Sequence, residues 1–323
     1  MTTGFKWLAL GLSAALALVG CSPAIEGNGD VLHVGSQRGG TKAMMLASGV
    51  LKDAPYKVEW AEFAAAQPLL EAIGAGAVDV GVTGDAPFVF AYLSGSPIKA
   101  VTAQYVEKRP SGALVLLTPA ASRARSIVDL KGAKVATTRG SVGHYLVIRA
   151  LQAAKLPADW VQIVFLSPGD ARAAFDSGSI DGWATWSPYV KPAIDHGARI
   201  IVDGRTLVRG YGFDVANEKT ILAKREILAD FVAREAKALR WARQNGAAYA
   251  DVLARETGLP IDVARDYAQK NARTIVQIDQ AVISDQQQVI DNFRKAGAAT
   301  GDRPIRDAFD STLLTAAAAR PAG

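Results

Sequence analysis

Short apolar runs alternate with amphipathic stretches along most of the chain, which is the pattern of an α/β protein. The clearest unit is Lys134–Leu156, in which a buried strand at Val135 and Ala136 precedes a turn and then apolar residues at helical spacing. The turn holds Gly140, which lets the backbone approach a ligand, and Ser141, which suits a helix N-cap. Because the first N–H groups of a helix are unpaired and partly positive, this corner suits an anion.

This strand-to-helix corner occurs twice. VGSQRGGTKAMML (Val34–Leu46) matches VATTRGSVGHYLV (Val135–Val147) at an offset of 101 residues. A second pair, GAVDVGVTGDAPFVF (Gly76–Phe90) and GSIDGWATWSPYV (Gly178–Val190), follows at an offset of 102 residues. Two pairs in the same order predict two similar α/β lobes, each with two strand-to-helix corners.

The apolar pattern is interrupted at Tyr105–Gly112 and again at Val208–Phe213. We place the two connections between the lobes there, so that residues 31–106 and 211–323 form lobe one and residues 107–210 form lobe two. Helical patterns follow from Lys224 onward, and these helices are expected to pad lobe one. They are predicted at Arg225–Gln244, Ala247–Thr257, Ile261–Lys270 and Ser284–Ala296.

The N-terminus has the pattern of a targeting segment, with Lys6 before the apolar run Leu8–Val19 and the tetrapeptide LVGC ending at Cys21. LVGC resembles the bacterial lipobox, so residues 1–20 are predicted to be a lipoprotein signal peptide and residues 21–30 a tether. We therefore expect a protein of the periplasm or cell envelope, anchored through a lipid on Cys21. An ordinary secretory signal and a non-cleaved anchor are the alternatives.

Composition and charge narrow the functions further. Half of the residues are hydrophobic and the net charge is +5 without a basic block, so we expect no nucleic-acid partner, whereas small anions are favoured. The chain has three histidines, without metal-ligand spacing, and one cysteine. It has no Gly-x-Ser-x-Gly elbow or phosphate-loop signature. We expect a monomeric binding protein rather than an enzyme, without a metal or cofactor.

Several side chains near the corners have two possible roles. His144 follows Gly140 by one helical turn and can face a ligand as a hydrogen-bond donor. Asp85 would repel an anion if it pointed into a cleft, and the favoured interpretation is a helix cap bound to its own backbone. Arg38 and Arg139 can each pair with an anion or project outward and steer it.

The blocks SQRGG, VEWAEF, TGDAPFVFA, DLKGAKVATTRGSVGHYLVIRAL and DARAAFDSGSIDGWATWSPY resemble the aliphatic-sulfonate-binding proteins of ABC importers, over about Val31 to Leu314. Relatives of that family bind taurine, nitrate and pyrimidine precursors. The resemblance implies a type II periplasmic-binding-protein fold, with two α/β lobes joined by two crossover strands, that closes on a ligand and delivers it to a membrane permease. It implies ligand contacts from Gln37, Gly39, Gly40, Gly84, Asp85, Gly140, Ser141, His144 and Trp186.

The sequence departs from the family pattern at Ser187, where the family has aspartate, and at Asp214, where it commonly has an aromatic residue. Asp214 can recognise an amine of a taurine-like zwitterion or face solvent, and solvent is favoured. Trp186, at a corner, is expected to form an apolar wall for an organic tail. Trp183 is expected to lie in the core.

An organic sulfonate is the leading ligand, with taurine, nitrate or another anion as alternatives. A neutral pyrimidine precursor would need aromatic walls on both sides of the cleft, whereas the corners carry mainly glycine, serine and arginine. An enzyme on the same fold is the remaining class. Sulfinate desulfinases resemble these binding proteins but use a cysteine nucleophile, and this chain has no cysteine after Cys21.

Overall fold

The computed structural model describes residues 30–38, 40–107 and 109–313, which fold into two mixed β-sheets with helices on their faces. The predicted signal peptide, the lipidation site Cys21, Gly39 and the C-terminal residues 314–323 lie outside the described residues. Within the described part of the chain, no helix is long and apolar enough to cross a membrane.

The secondary structure alternates between strands and helices for most of the chain and is helical after the last long strand. The strands are β1 (Val31–Gln37), β2 (Lys57–Phe63), β3 (Val80–Gly84), β4 (Ile98–Tyr105), β5 (Leu114–Thr118), β6 (Lys134–Thr137), β7 (Gln162–Phe165), β8 (Gly182–Trp186), β9 (Arg199–Asp203), β10 (Gly212–Asn217) and β11 (Thr274–Val276). The helices are α1 (Thr41–Ser48), α2 (Ala66–Gly74), α3 (Asp85–Leu93), α4 (Val142–Ala153), α5 (Pro168–Asp176), α6 (Val190–Asp195), α7 (Glu218–Ala223), α8 (Arg225–Gln244), α9 (Gly246–Thr257), α10 (Ile261–Lys270) and α11 (Gln280–Lys295).

The first sheet has the strand order β11-β4-β10-β3-β1-β2 and the second has the order β7-β6-β8-β5-β9. The strands that follow each change of sheet, β5 and β10, run antiparallel to both of their neighbours. The chain therefore leaves the first sheet between β4 and β5 and returns between β9 and β10. This architecture confirms the predicted α/β class with two lobes, and the exact end residues of each lobe stay a prediction.

Two helical layers enclose the sheet of lobe one. Side chains of α2, α3 and α11 pack on one face, with Leu69, Phe88 and Phe293 fully buried. Side chains of α1 and α8 pack on the other face, with Met45 and Phe231 at the centre. Burial of each such side chain stabilises the fold by about 1.5–3 kcal/mol, so these layers fix the positions of the strand ends.

The late helices have close to their predicted bounds, and α8 and α10 begin and end at the predicted residues. Helix α11 begins at Gln280, four residues before the predicted start at Ser284. The reason is a cap that the apolar pattern does not show. The Asp279 carboxylate accepts a hydrogen bond from the Val282 N–H at 2.9 Å, which starts the helix one turn earlier.

Helix α11 packs on lobe one, as predicted, and also contacts lobe two, which the prediction did not include. The Phe293 ring lies 5.4 Å from the Tyr145 ring on α4, measured between centroids. Asn292 Nδ2 donates a hydrogen bond to the Tyr145 hydroxyl at 3.0 Å. In lobe two itself, Trp183 is buried against Phe175, as predicted for a core residue.

Candidate functional site

A cavity of about 250 Å³ lies between the two sheets, where the carboxyl ends of strands from both lobes meet. This is where open α/β sheets bind ligands. Five of the predicted contact residues line it: Gln37, Gly40, Gly84, Ser141 and Trp186. Three others in the described chain are not among its lining residues: Asp85, Gly140 and His144.

The corner between β1 and α1 opens onto the cavity. Gln37 Nε2 donates to the Val82 carbonyl at 2.7 Å, which holds this side chain across the end of β3. Gly40 is the N-cap of α1 and has no side chain to cap it, although the Ser36 hydroxyl accepts from the Lys42 N–H at 3.4 Å. No acidic residue of the described chain occupies the first turn. The start of α1, at Thr41, therefore offers its partial positive charge to the cavity.

The corner between β3 and α3 is closed by its own aspartate. Asp85 Oδ1 accepts from the Ala86 N–H at 2.8 Å and Oδ2 accepts from the Tyr211 N–H at 3.1 Å. Burial raises the pKa of Asp85 to about 6, although both backbone donors oppose the shift. Asp85 is the first residue of α3, after the N-cap Gly84, so its carboxylate pairs with one N–H of the first turn and ties the helix to the return crossover.

At the start of α4, Ser141 caps the helix as the sequence predicts, since its Oγ accepts from the His144 N–H at 3.1 Å. Gly140 has φ +68°, and a Cβ atom there would lie 2.6 Å from the ring of Phe90 on α3. The absence of a side chain at Gly140 thus permits close packing of the two lobes, rather than approach to the cavity.

His144 is buried between the lobes. Its Nδ1 accepts from the Gly140 N–H at 3.2 Å, and its ring lies 4.9 Å from that of Phe165 and 5.6 Å from that of Phe293. Burial, and next the charge of Arg139, lower the pKa of His144 to about 4, so the ring is neutral near pH 7. This placement differs from the expectation that His144 faces the ligand, because Phe293 of α11 occupies the space opposite it.

The corner after β8 contributes an aromatic wall and a hydroxyl. Trp186 lines the cavity and contacts Tyr189 edge-to-face at 6.1 Å. Tyr189 in turn donates from its hydroxyl to the Ala64 carbonyl at 2.9 Å, which joins lobe two to lobe one. Ser187 Oγ is buried at the cavity wall without a hydrogen-bond partner in the described structure, so it is available to a ligand.

The cavity is strongly electropositive. Eight basic side chains line it: Arg38, Arg109, Arg139, Arg205, Arg209, Arg243, Lys270 and Arg273. Arg209 pairs with Asp285 at 3.5 Å and Lys270 with Asp266 at 2.8 Å. For the other six, no carboxylate of the described residues lies within 4.0 Å. Positive side chains without counter-ions in a shared cavity are the environment that an anion needs.

Arg273 is one of the six basic lining residues that sequence reasoning did not single out, since it named only Arg38 and Arg139. It lies in the short segment between α10 and β11, and its Nη1 donates to the Gly210 carbonyl at 3.4 Å. Burial is the main influence on the pKa of Arg273 and lowers it, against the opposing charge of Asp85. A partly buried guanidinium without a carboxylate partner is costly, so the position favours a bound anion. No local sequence pattern distinguishes this arginine.

Asp214 is fully buried, so the favoured prediction that it faces solvent is wrong. Its Oδ2 accepts from Gln104 Nε2 at 3.1 Å and from the Thr102 hydroxyl. The reason is its strand: β10 lies inside the first sheet between β3 and β4, with helices on both faces. The carboxyl group of Glu235, on α8, is its neighbour.

Two α/β lobes that enclose a ligand cavity at their strand ends define the type II periplasmic-binding-protein class. The profile of the NMT1/THI5-like family matches residues 47–250. The chain belongs to this family.

Relatives narrow the comparison. A protein of Escherichia coli (strain K12) that is named for binding aliphatic sulfonates is 35% identical over 88% of this chain and 90% of its own length. The crystal structure of the periplasmic aliphatic sulphonate binding protein SsuA from Escherichia coli superposes with a TM-score of 0.74 at 31% identity, over 86% of this chain and 91% of that chain. The alkanesulfonate-binding protein SsuA from Xanthomonas axonopodis pv. citri, bound to MOPS, gives a TM-score of 0.78 at 27% identity, over 87% of this chain and 98% of that chain.

Proposed function

We propose that this protein is the solute receptor of an ABC importer, and that it captures an organic sulfonate in the cavity between its lobes and delivers it to a permease. The observation that carries this proposal is the set of six basic side chains that line the cavity and that have no carboxylate partner within the described part of the chain. The relatives support it, because two solved neighbours are named for binding alkyl sulfonates.

The binding energy comes from several modest contributions. Micromolar affinity requires about 8 kcal/mol. The start of α1 contributes about 0.3–1 kcal/mol to an anion, or up to about 2 when partly buried. Arg273 and the Ser187 hydroxyl supply charge-assisted hydrogen bonds, which are stronger than neutral ones. Trp186 and Leu239, which also line the cavity, cover an organic tail.

The same features rank the other ligands. Nitrate has no organic group to cover the apolar part of the cavity, and a neutral pyrimidine precursor would leave the guanidinium of Arg273 without a counter-ion. A cysteine-dependent desulfinase is not supported, since Cys21 is the only cysteine of the sequence. Reversible capture without turnover therefore ranks first.

For the location, we propose that the mature protein begins at Cys21 and stands as a monomer in the periplasm or cell envelope, held by lipid on that cysteine. The relative from Escherichia coli is described as periplasmic. Radiolabelled palmitate should label the wild-type protein and leave Cys21→Ala unlabelled. Equal labelling of both would contradict the anchor without affecting the ligand proposal.

The central test is calorimetry on the purified protein from residue 30 onward. We expect one-to-one reversible binding of alkanesulfonates, with the ligand recovered unchanged. Replacement of Arg273 by alanine should weaken binding at least about tenfold, because a charge-assisted pair contributes about 1.5–3 kcal/mol. The control is Arg306→Ala, an exposed arginine outside the cavity, which should bind like wild type. Absence of heat and of thermal shift with sulfonates, sulfate esters, taurine and nitrate would refute the proposal.

A further inference from the structure

The cavity has one acidic side chain that the fold does not use. Its two acidic lining residues are Asp203 and Glu235. Asp203 is engaged, because its carboxylate accepts from the Gly112 N–H at 3.2 Å and from the Arg205 N–H at 2.9 Å. Glu235 is fully buried, and neither of its carboxyl oxygens has a hydrogen-bond donor among the described residues.

Glu235 lies beside a second buried carboxyl group. Asp214 Oδ2 accepts hydrogen bonds from Gln104 and Thr102, whereas its Oδ1 has no partner in the described structure. Burial, and next the charge of Asp214, raise the pKa of Glu235 well above its ordinary value. Two adjacent carboxyl groups in a buried site cannot both be ionised, so the pair shares one proton.

Among the residues that the structure describes, no basic side chain lies within 4.0 Å of either carboxyl group of the pair. The groups that interact with Glu235 are Asp214 from β10, Gln104 from β4 and Thr41 from α1, of which only Asp214 is charged. Arg273 interacts with Tyr267 and Asp85. The cavity lining therefore combines basic side chains with an acidic group that forms no ion pair within 4.0 Å among the described residues.

We propose that Glu235, backed by Asp214, receives a cationic amino group, and that the ligand is an aminoalkanesulfonate, a zwitterion that presents its sulfonate to the basic residues and its ammonium to the carboxyl pair. This inference rests on the proposed function. A purely alkyl tail would leave the negative charge of the buried pair without a counter-ion, which is unfavourable. An ammonium group supplies three N–H donors and a charge of the opposite sign.

Binding of the ammonium group displaces the shared proton. Before binding, one proton lies between the two carboxyl groups, and the pair carries one negative charge. The ammonium keeps its own protons, its positive charge stabilises the second carboxylate, and the displaced proton passes to the buffer. Capture of an aminoalkanesulfonate should therefore release up to one proton per ligand, whereas capture of an alkanesulfonate should release none from this pair.

The test uses two probes of nearly equal shape, butane-1-sulfonate and 3-aminopropane-1-sulfonate, in which a terminal methyl replaces the ammonium. Calorimetry on the wild-type protein in phosphate and in Tris buffer gives both Kd values and the number of protons released. We expect the amino probe to bind at least about tenfold more tightly, as for other buried charge pairs, and its heat alone to depend on the buffer.

Glu235→Gln should bring the ratio of the two Kd values to within about twofold of one and abolish the buffer dependence, since the amide carries no charge. The control is Glu226→Gln, an exposed position on the same helix, which should keep both wild-type properties. Equal Kd values in the wild-type protein, or a preference for the amine that persists in Glu235→Gln, would overturn the assignment. Absence of binding for both probes would instead contradict the proposed sulfonate function. The wild-type comparison stands even if the variant fails to fold.

Discussion

The two lobes share one hydrogen bond at equivalent positions of the sequence repeat, and they differ at the corner that follows it. In lobe one, Asp79 Oδ2 accepts from the His33 N–H at 2.8 Å; in lobe two, Asp181 Oδ2 accepts from the Lys134 N–H, also at 2.8 Å. These two pairs are separated by the sequence repeat offsets of 101 and 102 residues. The bond ties the segment before β3 or β8 to the neighbouring strand, so the repeat preserves the frame of each lobe.

Six residues after the aspartate of that bond, the lobes diverge. Asp85 and Ser187 occupy equivalent positions of the repeat, at the ends of β3 and β8. Asp85 pairs with one N–H in the first turn of its own helix, whereas the Ser187 hydroxyl stays without a partner at the cavity wall. The comparison teaches that the repeated corners share a backbone plan, but that side chains decide which corner is left for a ligand.

The largest expected effect comes from breaking the shared bond. Asp79 also accepts from Thr220 Oγ1 at 3.0 Å and Lys224 Nζ at 2.7 Å, so Asp79→Ala should lower the free energy of unfolding by about 3 kcal/mol. Asp181 is exposed and makes the one backbone bond, so Asp181→Ala should cost about 1 kcal/mol. Urea unfolding of both variants measures this difference, and equal losses would contradict it.

The next largest effect is the pH dependence of stability, in which Asp85 and His144 act in opposite directions. The pKa of Asp85 is raised to about 6, so its contribution to stability is present below pH 3.8 and is lost as the pH rises through 6. The pKa of His144 is lowered to about 4, so its contribution is present above pH 6.5 and is lost as the pH falls through 4. Each should amount to about 1–3 kcal/mol across its window.

Asp85→Asn and His144→Asn should therefore change the pH dependence of unfolding in opposite directions. Asp85 makes the wild-type protein less stable as the pH rises from about 4 to about 6, and Asp85→Asn should remove that loss. His144 makes it less stable as the pH falls over the same range, and His144→Asn should remove that loss. Urea denaturation at a series of pH values measures both. Difference curves with the same slope would show that one assignment has the wrong sign.

The smallest effect concerns the cavity itself. Ser187→Ala removes one neutral donor, so it should weaken sulfonate binding about two- to tenfold, while the melting temperature stays within about 1 °C of wild type. Ser179→Ala, at an exposed position earlier in the same lobe, is the matched control and should change neither property. Unchanged affinity in Ser187→Ala would show that this hydroxyl does not reach the ligand.

Local patterns predicted the α/β class and the corners, because strands, caps and glycine turns depend on neighbouring residues. They could not predict Arg273, in the segment after α10, or Glu235, on α8, because both reach the cavity through the packing of distant helices. Asp214 shows the same limit, since a polar residue in a strand indicates a surface unless the strand order is known. For His144, helical spacing gave the side of α4 it lies on, but not the presence of Phe293 opposite.

The contact of α11 with α4 has a consequence for how the lobes can separate. There the lobes meet through buried aromatic rings, Phe293 against Tyr145, whereas near α6 and α10 they meet through the polar pairs of Tyr189 with Ala64 and of Lys191 with Asp262 at 3.2 Å. Water can replace the polar pairs at little cost, but not the aromatic contact. The contacts near α6 and α10 therefore cost less to separate than the contact of α11 with α4.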